Sequence, residues 1–392
     1  MIEKFFEFLD ESLAELKDKG LYRGIRDREY SSNMIIKIDG KNYINFASND
    51  YLGLTHHPLV IEAAKKSLEL FGTGAGASRL LSGGTILYKN LEELLCKIKG
   101  TPRALLLNSG YTANTTVIPC LMEEEDLILS DELNHASIID GCRLSKAKRI
   151  IFPHKDMDAL EKLIKSNRRS SGKLMIVTDS VFSMDGDIAP LRDIYILCKK
   201  YEALLYVDDA HGTGVLGNGS GALKHFDIPS ESFILQMGTL SKAIGSFGAF
   251  VSGNEILIDW IINKGRGFIF STALPPAVVG AAYASLKIIE EEKSLIEKLW
   301  NNTKIVFEFL KKLKFQMTNT ETPIIPVIFN NIEEAQKASD TLLRYGIYAP
   351  VIKPPTVKNV RIRITISAAH SEKDLETLKE AFIHLYQQLR QV

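Results

Sequence analysis

The sequence predicts an α/β fold whose large domain is built on a mostly parallel seven-stranded sheet. Between about residues 100 and 252, short apolar runs recur, helix-length segments separate them, and polar residues follow several of them. Runs that are apolar throughout, without polar alternation, are typical of strands buried on both faces. Helix-length connections between such strands favour parallel pairing. The predicted strands cover residues 104–107, 127–129, 150–152, 174–177, 204–207, 233–235 and 249–251.

The pattern changes after about residue 285, where helical segments alternate with only two strand candidates. This pattern predicts a separate, smaller α+β domain. The predicted elements are one or two helices over residues 288–313, helices over 333–345 and 372–389, and strands over 323–329 and 360–366. The expected division of the chain is an N-terminal helix and extended segment over residues 1–45, a large domain over 46–285 and a small domain over 286–392.

The composition argues against several broad classes of protein. The 392 residues carry 48 basic and 48 acidic side chains, so no net charge favours binding to nucleic acid or to an anionic membrane. No stretch of about 20 apolar residues predicts a membrane span. The four cysteines lie far apart without a CxxC pair, which argues against structural zinc and against a disulfide framework. We therefore expect a cytoplasmic globular protein without a bound metal.

Lys242 lies among small residues soon after a predicted strand, in the segment Gly238-Thr239-Leu240-Ser241-Lys242. Small neighbours allow a lysine to approach a bound ligand closely, and burial lowers the proton affinity of its amine. These are the properties of a lysine that forms a Schiff base. A solvated surface lysine is the ordinary alternative, so this motif alone is weak.

Asp208 and His211 strengthen this interpretation. The apolar run over residues 204–207 ends in Asp208-Asp209-Ala210-His211, so two carboxylates and an imidazole follow a buried strand. Pyridoxal phosphate (PLP) needs a carboxylate beside its ring nitrogen, and Asp208 could supply it. His211 could hydrogen-bond the cofactor's phenolic oxygen or transfer a proton. The alternative is a buried structural hydrogen bond, although two adjacent acids are costly to bury.

Residues 212–217 match the GxGxxG pattern of dinucleotide-binding proteins, which makes a nicotinamide-dependent dehydrogenase an alternative. In that class the pattern lies directly between a strand and the helix that follows it. Here residues 208–211 intervene, and the glycine-rich segment 217–221 that follows is unsuited to a helix. We therefore predict a loop rather than a nucleotide site.

Two further polar segments follow predicted strands and open helices. Ser109-Gly110-Tyr111 precedes one helix, whose first N–H groups suit a phosphate, with an ordinary helix cap as the alternative. His135 opens the other helix and is either a capping residue or a ring stacked on a cofactor. Arg363, on the last predicted strand, suits a carboxylate or phosphate, or a surface ion pair.

Segments spread over nearly the whole chain, from about residue 20 to residue 370, together resemble the α-oxoamine synthases. Each segment is short, but their combination and order are highly specific. The matching segments are NDYLGL at 49–54, NHAS at 134–137, VFSMDG at 181–186, DDAHG at 208–212, TLSK at 239–242, FSTALPP at 270–276, and residues 361–370.

This resemblance implies a fold-type I PLP-dependent transferase that forms a homodimer with active sites shared between its subunits. It implies that Lys242 binds the cofactor covalently and removes the α-proton of the amino acid. Asp208 is expected to pair with the ring nitrogen, His135 to stack on the ring, and His211 and Ser183 to lie near the ring oxygen. The other residues implied are Ser109, Gly110, Tyr111 and Thr239 at the phosphate, Ser271 or Thr272 from the other subunit, and Asn49 and Arg363 at the substrate carboxylate.

The resemblance also implies a decarboxylating condensation of a small amino acid with an acyl thioester, carried by CoA or by an acyl carrier protein. Residues 72–84 and 353–357 most resemble the members that join alanine to a pimeloyl thioester in biotin biosynthesis. Residues 134–141 resemble equally the members that join glycine to an acetyl thioester. A structural partner subunit is the non-enzyme alternative, and the presence of both Lys242 and Asp208 argues against it.

Overall fold

The computed structural model describes residues 2–168 and 172–389. The N-terminal part is a helix followed by a three-stranded antiparallel meander. The first helix buries none of its side chains, and apolar residues such as Phe5 and Phe8 are exposed on it. The elements of this part, with the two helices that follow, are α1 (Ile2–Asp18), β1 (Tyr30–Ser32), β2 (Ile35–Ile38), β3 (Lys41–Asn45), α2 (Pro58–Phe71) and α3 (Ile86–Lys99).

Within the described residues, the central sheet has seven strands, as the sequence predicts. They are β4 (Arg103–Leu107), β5 (Leu127–Asp131), β6 (Lys148–Phe152), β7 (Leu174–Asp179), β8 (Leu204–Asp208), β9 (Ile234–Thr239) and β10 (Ala249–Gly253). Their order across the sheet is β4-β10-β9-β8-β7-β5-β6. The pairs of β10 with β4 and with β9 are antiparallel, whereas the pairs among β5 to β9 are parallel.

Helices cover both faces of this sheet and form two apolar cores with it. Along β7, Met175 and Val177 belong to one core, whereas Ile176 belongs to the other. Every residue of β7 and β9 is buried, which explains the uninterrupted apolar runs. The helices are α4 (Gly110–Leu121), α5 (Ala136–Leu144), α6 (Met157–Asn167), α7 (Leu191–Tyr201), α8 (Ala222–His225), α9 (Glu255–Lys264), α10 (Arg266–Ile269) and α11 (Pro276–Glu291).

The C-terminal part contains a three-stranded antiparallel sheet of order β11-β14-β13 with helices packed around it. The predicted helical region over residues 288–313 resolves into two helices, because α11 ends at Glu291 and the next helix begins at Lys293. The elements are α12 (Lys293–Lys312), β11 (Ile324–Ile328), α13 (Ile332–Arg344), β12 (Ile347–Tyr348), β13 (Val351–Ile352), β14 (Arg361–Thr365) and α14 (Glu372–Leu389).

The N-terminal segment is joined to the C-terminal part by strand pairing. β12 pairs in parallel with β3, so that Ile347 lies opposite Ile44 and Tyr348 opposite Asn45. The segment that the sequence predicts as merely extended is therefore part of a four-stranded sheet of order β1-β2-β3-β12. The domain boundaries near residues 45 and 285 remain a prediction.

No helix within residues 2–168 and 172–389 combines the length and the apolar character that a membrane crossing requires.

Candidate active site

A cavity of about 190 Å³ opens at the carboxyl ends of β7, β8 and β9, beside the N-termini of α4 and α5. Ligands bind at this edge in open α/β sheets, because the ends of parallel strands and the starts of helices meet there. Many of the predicted site residues line the cavity, namely Gly110, Tyr111, His135, Ser183, Asp208, His211, Thr239 and Lys242. Segments that are far apart in the sequence thus meet at one place.

The carboxylate of Asp208 is buried at the end of β8 and accepts two hydrogen bonds. Asn114 Nδ2 donates to its Oδ2 at 2.8 Å, and the Ala210 N–H donates to its Oδ1 at 3.0 Å. The Tyr206 hydroxyl donates to Asn114 Oδ1 at 2.7 Å and so fixes the orientation of that amide. Burial raises the pKa of Asp208, and the ammonium of Lys242 opposes the rise. A buried carboxylate prepared in this way suits a protonated ring nitrogen.

Lys242 lies just after β9 and is half-buried against the same cavity. Burial lowers the pKa of its amine, whereas the carboxylates of Asp208 and Asp179 oppose that decrease. A lowered pKa leaves more of the amine neutral at a given pH, and the neutral amine is the nucleophile in Schiff-base formation. The environment therefore agrees with the chemistry predicted for this lysine.

His135 is the N-cap residue of α5 and lies at the mouth of the cavity. Its Nδ1 accepts a hydrogen bond from the Ser137 N–H at 3.2 Å, which assigns the proton of the neutral ring to Nε2. Its own backbone N–H donates to Asp179 Oδ2 at 2.7 Å. The ring and the backbone of His135 are therefore each held by a hydrogen bond, and a role as capping residue is compatible with a contact to a cofactor.

His211, which lines the cavity, forms a buried pair with Tyr51. The Tyr51 hydroxyl and His211 Nδ1 lie 2.7 Å apart. Burial lowers the pKa of His211 well below its usual value, and the charges of Lys242 and Arg363 lower it further. Burial also raises the pKa of Tyr51. Both groups are therefore neutral near pH 7, and the pair can carry a hydrogen bond toward a ligand oxygen without adding a charge.

The N-terminus of α4 provides the predicted phosphate-binding end. Ser109 is its N-cap residue and accepts a hydrogen bond from the Thr112 N–H at 3.1 Å, while Gly110 and Tyr111 line the cavity. Thr239, at the end of β9, has its hydroxyl 2.7 Å from that of Ser241. N–H groups at a helix start, together with hydroxyl groups, bind phosphate well.

Arg363 and Asn49 lie next to the cavity rather than in its lining. The Arg363 guanidinium donates to the Ser183 carbonyl at 2.9 Å and also to Asn49 Oδ1. Burial lowers the pKa of Arg363, and no carboxylate of the described residues forms an ion pair with it. Arg361, two residues earlier, is instead paired with Asp185 at 2.7 Å. Arg363 therefore remains able to bind a substrate carboxylate.

Ser271 and Thr272 are the predicted site residues that the fold does not bring to this cavity. Asn108 Nδ2 donates to the Thr272 carbonyl at 2.8 Å, and Ser271 lines a separate small cavity with Arg79 and Tyr88. A contribution from these two residues to the cavity of a second subunit remains a prediction.

The GxGxxG segment is a loop, as predicted, and its glycines have a packing role. A Cβ added at Gly212 would lie 2.1 Å from Asp209 Oδ1, and one at Gly214 would lie 2.6 Å from the Ala243 Cβ. Gly214 also has a positive φ of 82°. The glycines therefore allow close packing beneath the turn that carries Asp208, and the segment opens no helix for a dinucleotide.

Several residues of the site were not predicted as such. Asn114 and Tyr51 act as hydrogen-bond partners of Asp208 and His211, and Asp179 and Ser137 line the cavity. The sequence pattern could have indicated Asp179 as a site residue, because it ends a buried strand just as Asp208 does. The sequence indicates Asn114 less clearly, by a polar side chain within the buried part of its helix.

These residues fit PLP by their chemistry. The cavity joins a helix N-terminus for a phosphate, a buried carboxylate for a pyridine nitrogen and a lysine for a covalent bond. The described residues contain no group of three or more His, Cys, Asp or Glu side chains that could hold a metal ion. The helix N-terminus, the buried carboxylate and the lysine together fit the predicted cofactor.

Comparison with known proteins gives the same result at the level of the whole chain. The family model described as aminotransferase class I and II matches residues 41–382. A protein of Thermodesulfovibrio yellowstonii, provisionally named 8-amino-7-oxononanoate synthase, is 62% identical over 381 residues, which are 97% of this chain and 98% of that one. The 8-amino-7-oxononanoate synthase of Thermoanaerobacter pseudethanolicus is 46% identical and covers 98% of both chains.

A solved structure of serine palmitoyltransferase with PLP shares the fold, with a TM-score of 0.93, 30% sequence identity and 99% of both chains covered. The sequence, the geometry of the cavity and these relatives agree on the architecture and on the cofactor. The chain therefore belongs to the class I and II aminotransferase family and, within it, to the PLP-dependent α-oxoamine synthases.

Proposed function

We propose that the protein condenses L-alanine with a pimeloyl thioester to give 8-amino-7-oxononanoate, CO2 and a free thiol, as a step of biotin biosynthesis. The observation that carries this proposal is the meeting of Lys242 with the buried Asp208 in one cavity. The names of the relatives at 62% and 46% identity support the choice of substrates.

The site residues have separable tasks in this reaction. PLP, when bound, withdraws electrons from the α-carbon of the attached amino acid. Asp208 would hold a proton on the ring nitrogen, and Lys242 would form the covalent bond and move the α-proton. His135 would cover the ring face, and His211 with Ser183 would lie near its oxygen. The phosphate would be held by Ser109, Gly110, Tyr111 and Thr239, with Ser271 or Thr272 from a second subunit.

The amino-acid carboxylate would bind Arg363 and Asn49. Arg363 reaches both Asn49 and the Ser183 carbonyl, and it forms no ion pair that a substrate carboxylate would have to displace within the described residues. A guanidinium held in this way offers two parallel N–H groups to a carboxylate. This contact would orient the α-proton toward Lys242.

A second, larger cavity of about 640 Å³ favours a long acyl group. It lies between the N-terminal segment and the C-terminal part, and Met184 lines it directly after Ser183 of the first cavity. Apolar side chains such as Leu343 alternate there with the cations Arg23, Arg26 and Lys353. A cavity with both apolar side chains and cations suits a pimeloyl chain that ends in a carboxylate. We name this cavity the acyl groove.

A homodimer with shared active sites in the cytoplasm completes the proposal, with CoA or an acyl carrier protein as the acyl donor. The position of Ser271 and Thr272 outside the cavity of their own chain supports the sharing of sites. The alternative activity, glycine C-acetyltransferase, rests on the similarity of residues 134–141 and would have no use for the acyl groove.

The test is a substrate matrix with purified protein and added PLP. L-alanine or glycine is combined with pimeloyl-CoA, a pimeloyl carrier protein or acetyl-CoA, and thiol release is measured. Turnover with alanine and a pimeloyl donor supports the proposal, whereas turnover with glycine and acetyl-CoA alone replaces it by the alternative. Lys242→Ala should lose the visible absorbance of the bound cofactor and the turnover. The exposed Lys146→Ala should retain both.

A further inference from the structure

His154 lies outside both cavities, in the loop after β6, and both of its ring nitrogens contact carboxylates. Nδ1 is 2.9 Å from Asp131 Oδ1, and Nε2 is 2.9 Å from Asp187 Oδ2. The ring also meets the edge of the Phe182 ring, with centroids 4.3 Å apart. Neither carboxylate is exposed, so these contacts are shielded from water. Two carboxylates can both accept from one imidazole only when both ring nitrogens carry a proton.

The charges around His154 favour this doubly protonated form. Burial opposes its charge, but the hydrogen bonds and charges of Asp131 and Asp187 outweigh burial and raise the pKa of His154 to about 9. Lys155 Nζ is 3.1 Å from Asp187 and 3.6 Å from Glu321, and Glu132 accepts from the His154 N–H at 3.2 Å. The cluster therefore balances two cations against nearby carboxylates, and His154 remains an imidazolium at neutral pH.

The first carboxylate, that of Asp131, begins the turn that precedes His135, the residue proposed to cover the cofactor ring. Asp131 ends β5, and its Oδ1 accepts from the Leu133 N–H at 2.9 Å. The Asn134 N–H donates to the Asp131 carbonyl at 3.3 Å. This turn leads directly into His135. The position of Asp131 therefore determines the position of the His135 backbone, and with it that of the His135 ring.

The second carboxylate, that of Asp187, belongs to the turn that lies between the two cavities. Asp187 closes a turn in which its carbonyl accepts from the Phe182 N–H at 3.0 Å. The residues inside that turn are Ser183, which lines the Lys242 cavity, and Met184, which lines the acyl groove. A shift of Asp187 would therefore move both walls at their junction.

We propose that His154 is a positioning residue that, as an imidazolium, ties the turn leading to His135 to the turn carrying Ser183 and Met184. In this role it sets the passage between the Lys242 cavity and the acyl groove. The part of the inference that concerns acyl binding rests on the proposed function, whereas the part that concerns the cofactor cavity does not.

The stabilising effect of His154 depends on pH, and the raised pKa of its imidazole determines at which pH the effect is lost. The pKa of His154 is raised from about 6.5 to about 9 on folding, so its stabilising effect is fully present below about pH 6.5. It is lost as the pH rises through about 9. Above that pH one nitrogen becomes an acceptor and faces a carboxylate, so the two turns separate.

The test compares His154→Gln with His225→Gln, which changes an exposed histidine far from both cavities. With PLP bound and no substrate, visible circular dichroism is followed between pH 7 and 10. We expect a transition near pH 9 in the wild type and in His225→Gln that is absent from His154→Gln. We also expect the KM for the acyl thioester to rise about tenfold in His154→Gln, with a much smaller change in the KM for the amino acid.

A transition that persists unchanged in His154→Gln, with a loss of thermal stability as the only effect, would overturn the proposal. If His154→Gln does not fold, Asp187→Asn replaces it, because the amide keeps the shape but removes one charge that raises the pKa of His154. The transition should then move to lower pH, and a transition that stays near pH 9 would contradict the role. The dichroism needs no acyl substrate, so it remains decisive if the substrate assignment fails.

Discussion

One of the two donors that hold the Asp208 carboxylate, Asn114, lies outside the sequence motif that contains Asp208. Asn114 comes from α4 and is oriented by Tyr206, which precedes Asp208 by two residues on β8. Tyr206 and Asp208 face the same side of the sheet because alternate residues of a strand point the same way, and Asn114 contacts both of them. The chemistry of the site at the scale of one residue is thus set by the crossing of a helix and a strand.

The negative charge of the Asp208 side chain should contribute more to the reaction rate than its shape does. In Asp208→Asn the amide oxygen can still accept from Asn114, so the fold should be retained, but the ring nitrogen loses its charged partner. We expect kcat to fall roughly 100-fold or more, which is the usual effect of removing one aligned electrostatic partner. Steady-state kinetics together with the thermal unfolding midpoint would measure this. Asp340→Asn, an exposed control on α13, should leave both unchanged.

The sequence places Lys242, Asp208 and His135 near the ends of predicted strands, and the structure brings all three to one cavity. Their common location could be predicted because the ends of parallel strands meet at one edge of a sheet, whereas their individual roles stay predictions. Asn114 and Tyr51 could not be predicted, since their roles depend on partners about 90 and 160 residues away in the chain. A hydrogen bond of that kind follows from the packing of elements, which local sequence does not show.

At the scale of elements, most strands of the central sheet could be predicted because burial on both faces makes them apolar throughout. The edge strand β6 is largely exposed, and only its apolar end over residues 150–152 was predicted. The predicted run over residues 233–235 nevertheless missed the polar end of β9, which extends to Thr239. β12 and β13 have two residues each and are only partly buried, so they carry no hydrophobic pattern that could be detected. Strand pairing across the chain, as between β3 and β12, has no local signal at all.

The start of α4 offers a test of the phosphate assignment. Ser109→Ala removes the cap from the Thr112 N–H and should lower the free energy of unfolding by about 1 kcal/mol. It should also weaken PLP binding by roughly tenfold, because the helix start is less well ordered for a phosphate. Fluorescence titration with PLP and chemical denaturation would measure the two effects.

Asn254→Ala is the matched control for this test. Asn254 caps α9 in the same way, through an acceptor for the Ile256 N–H at 2.9 Å, but it lies away from the cavity. We expect a similar loss of stability with unchanged PLP affinity. Equal weakening of PLP binding in both variants would mean that α4 does not bind the phosphate directly.

At the scale of the whole molecule, a buried ion pair joins helices and strands beneath the active site. Lys99 at the end of α3 is 2.7 Å from Asp209, and both side chains are fully buried. The ammonium also donates to Thr213 at 2.8 Å, and Asp209 accepts from Ser180 at 2.7 Å. Because Asp209 directly follows Asp208, this network fixes the turn that carries Asp208.

Removal of the Lys99 ammonium should leave the Asp209 carboxylate buried without its ion-pair partner. We expect Lys99→Met to lower the free energy of unfolding by about 3–5 kcal/mol, because a buried carboxylate without its partner is strongly unfavourable. The double variant Lys99→Met with Asp209→Asn should recover a large part of that loss. Chemical denaturation of the two variants measures the difference, and a double variant no more stable than the single one would contradict this explanation.

The pairing of β3 with β12 has a consequence for the synthesis of the protein. The two strands are about 300 residues apart, and at typical translation rates that distance takes about 15–60 s to synthesise. During this time β3 presents an unpaired strand edge to solvent. Since residues on both sides of the acyl groove must be present, a ribosome-bound chain has no groove until its last quarter has emerged. The edge of β3 and the acyl groove are therefore completed only after the C-terminal part has been synthesised.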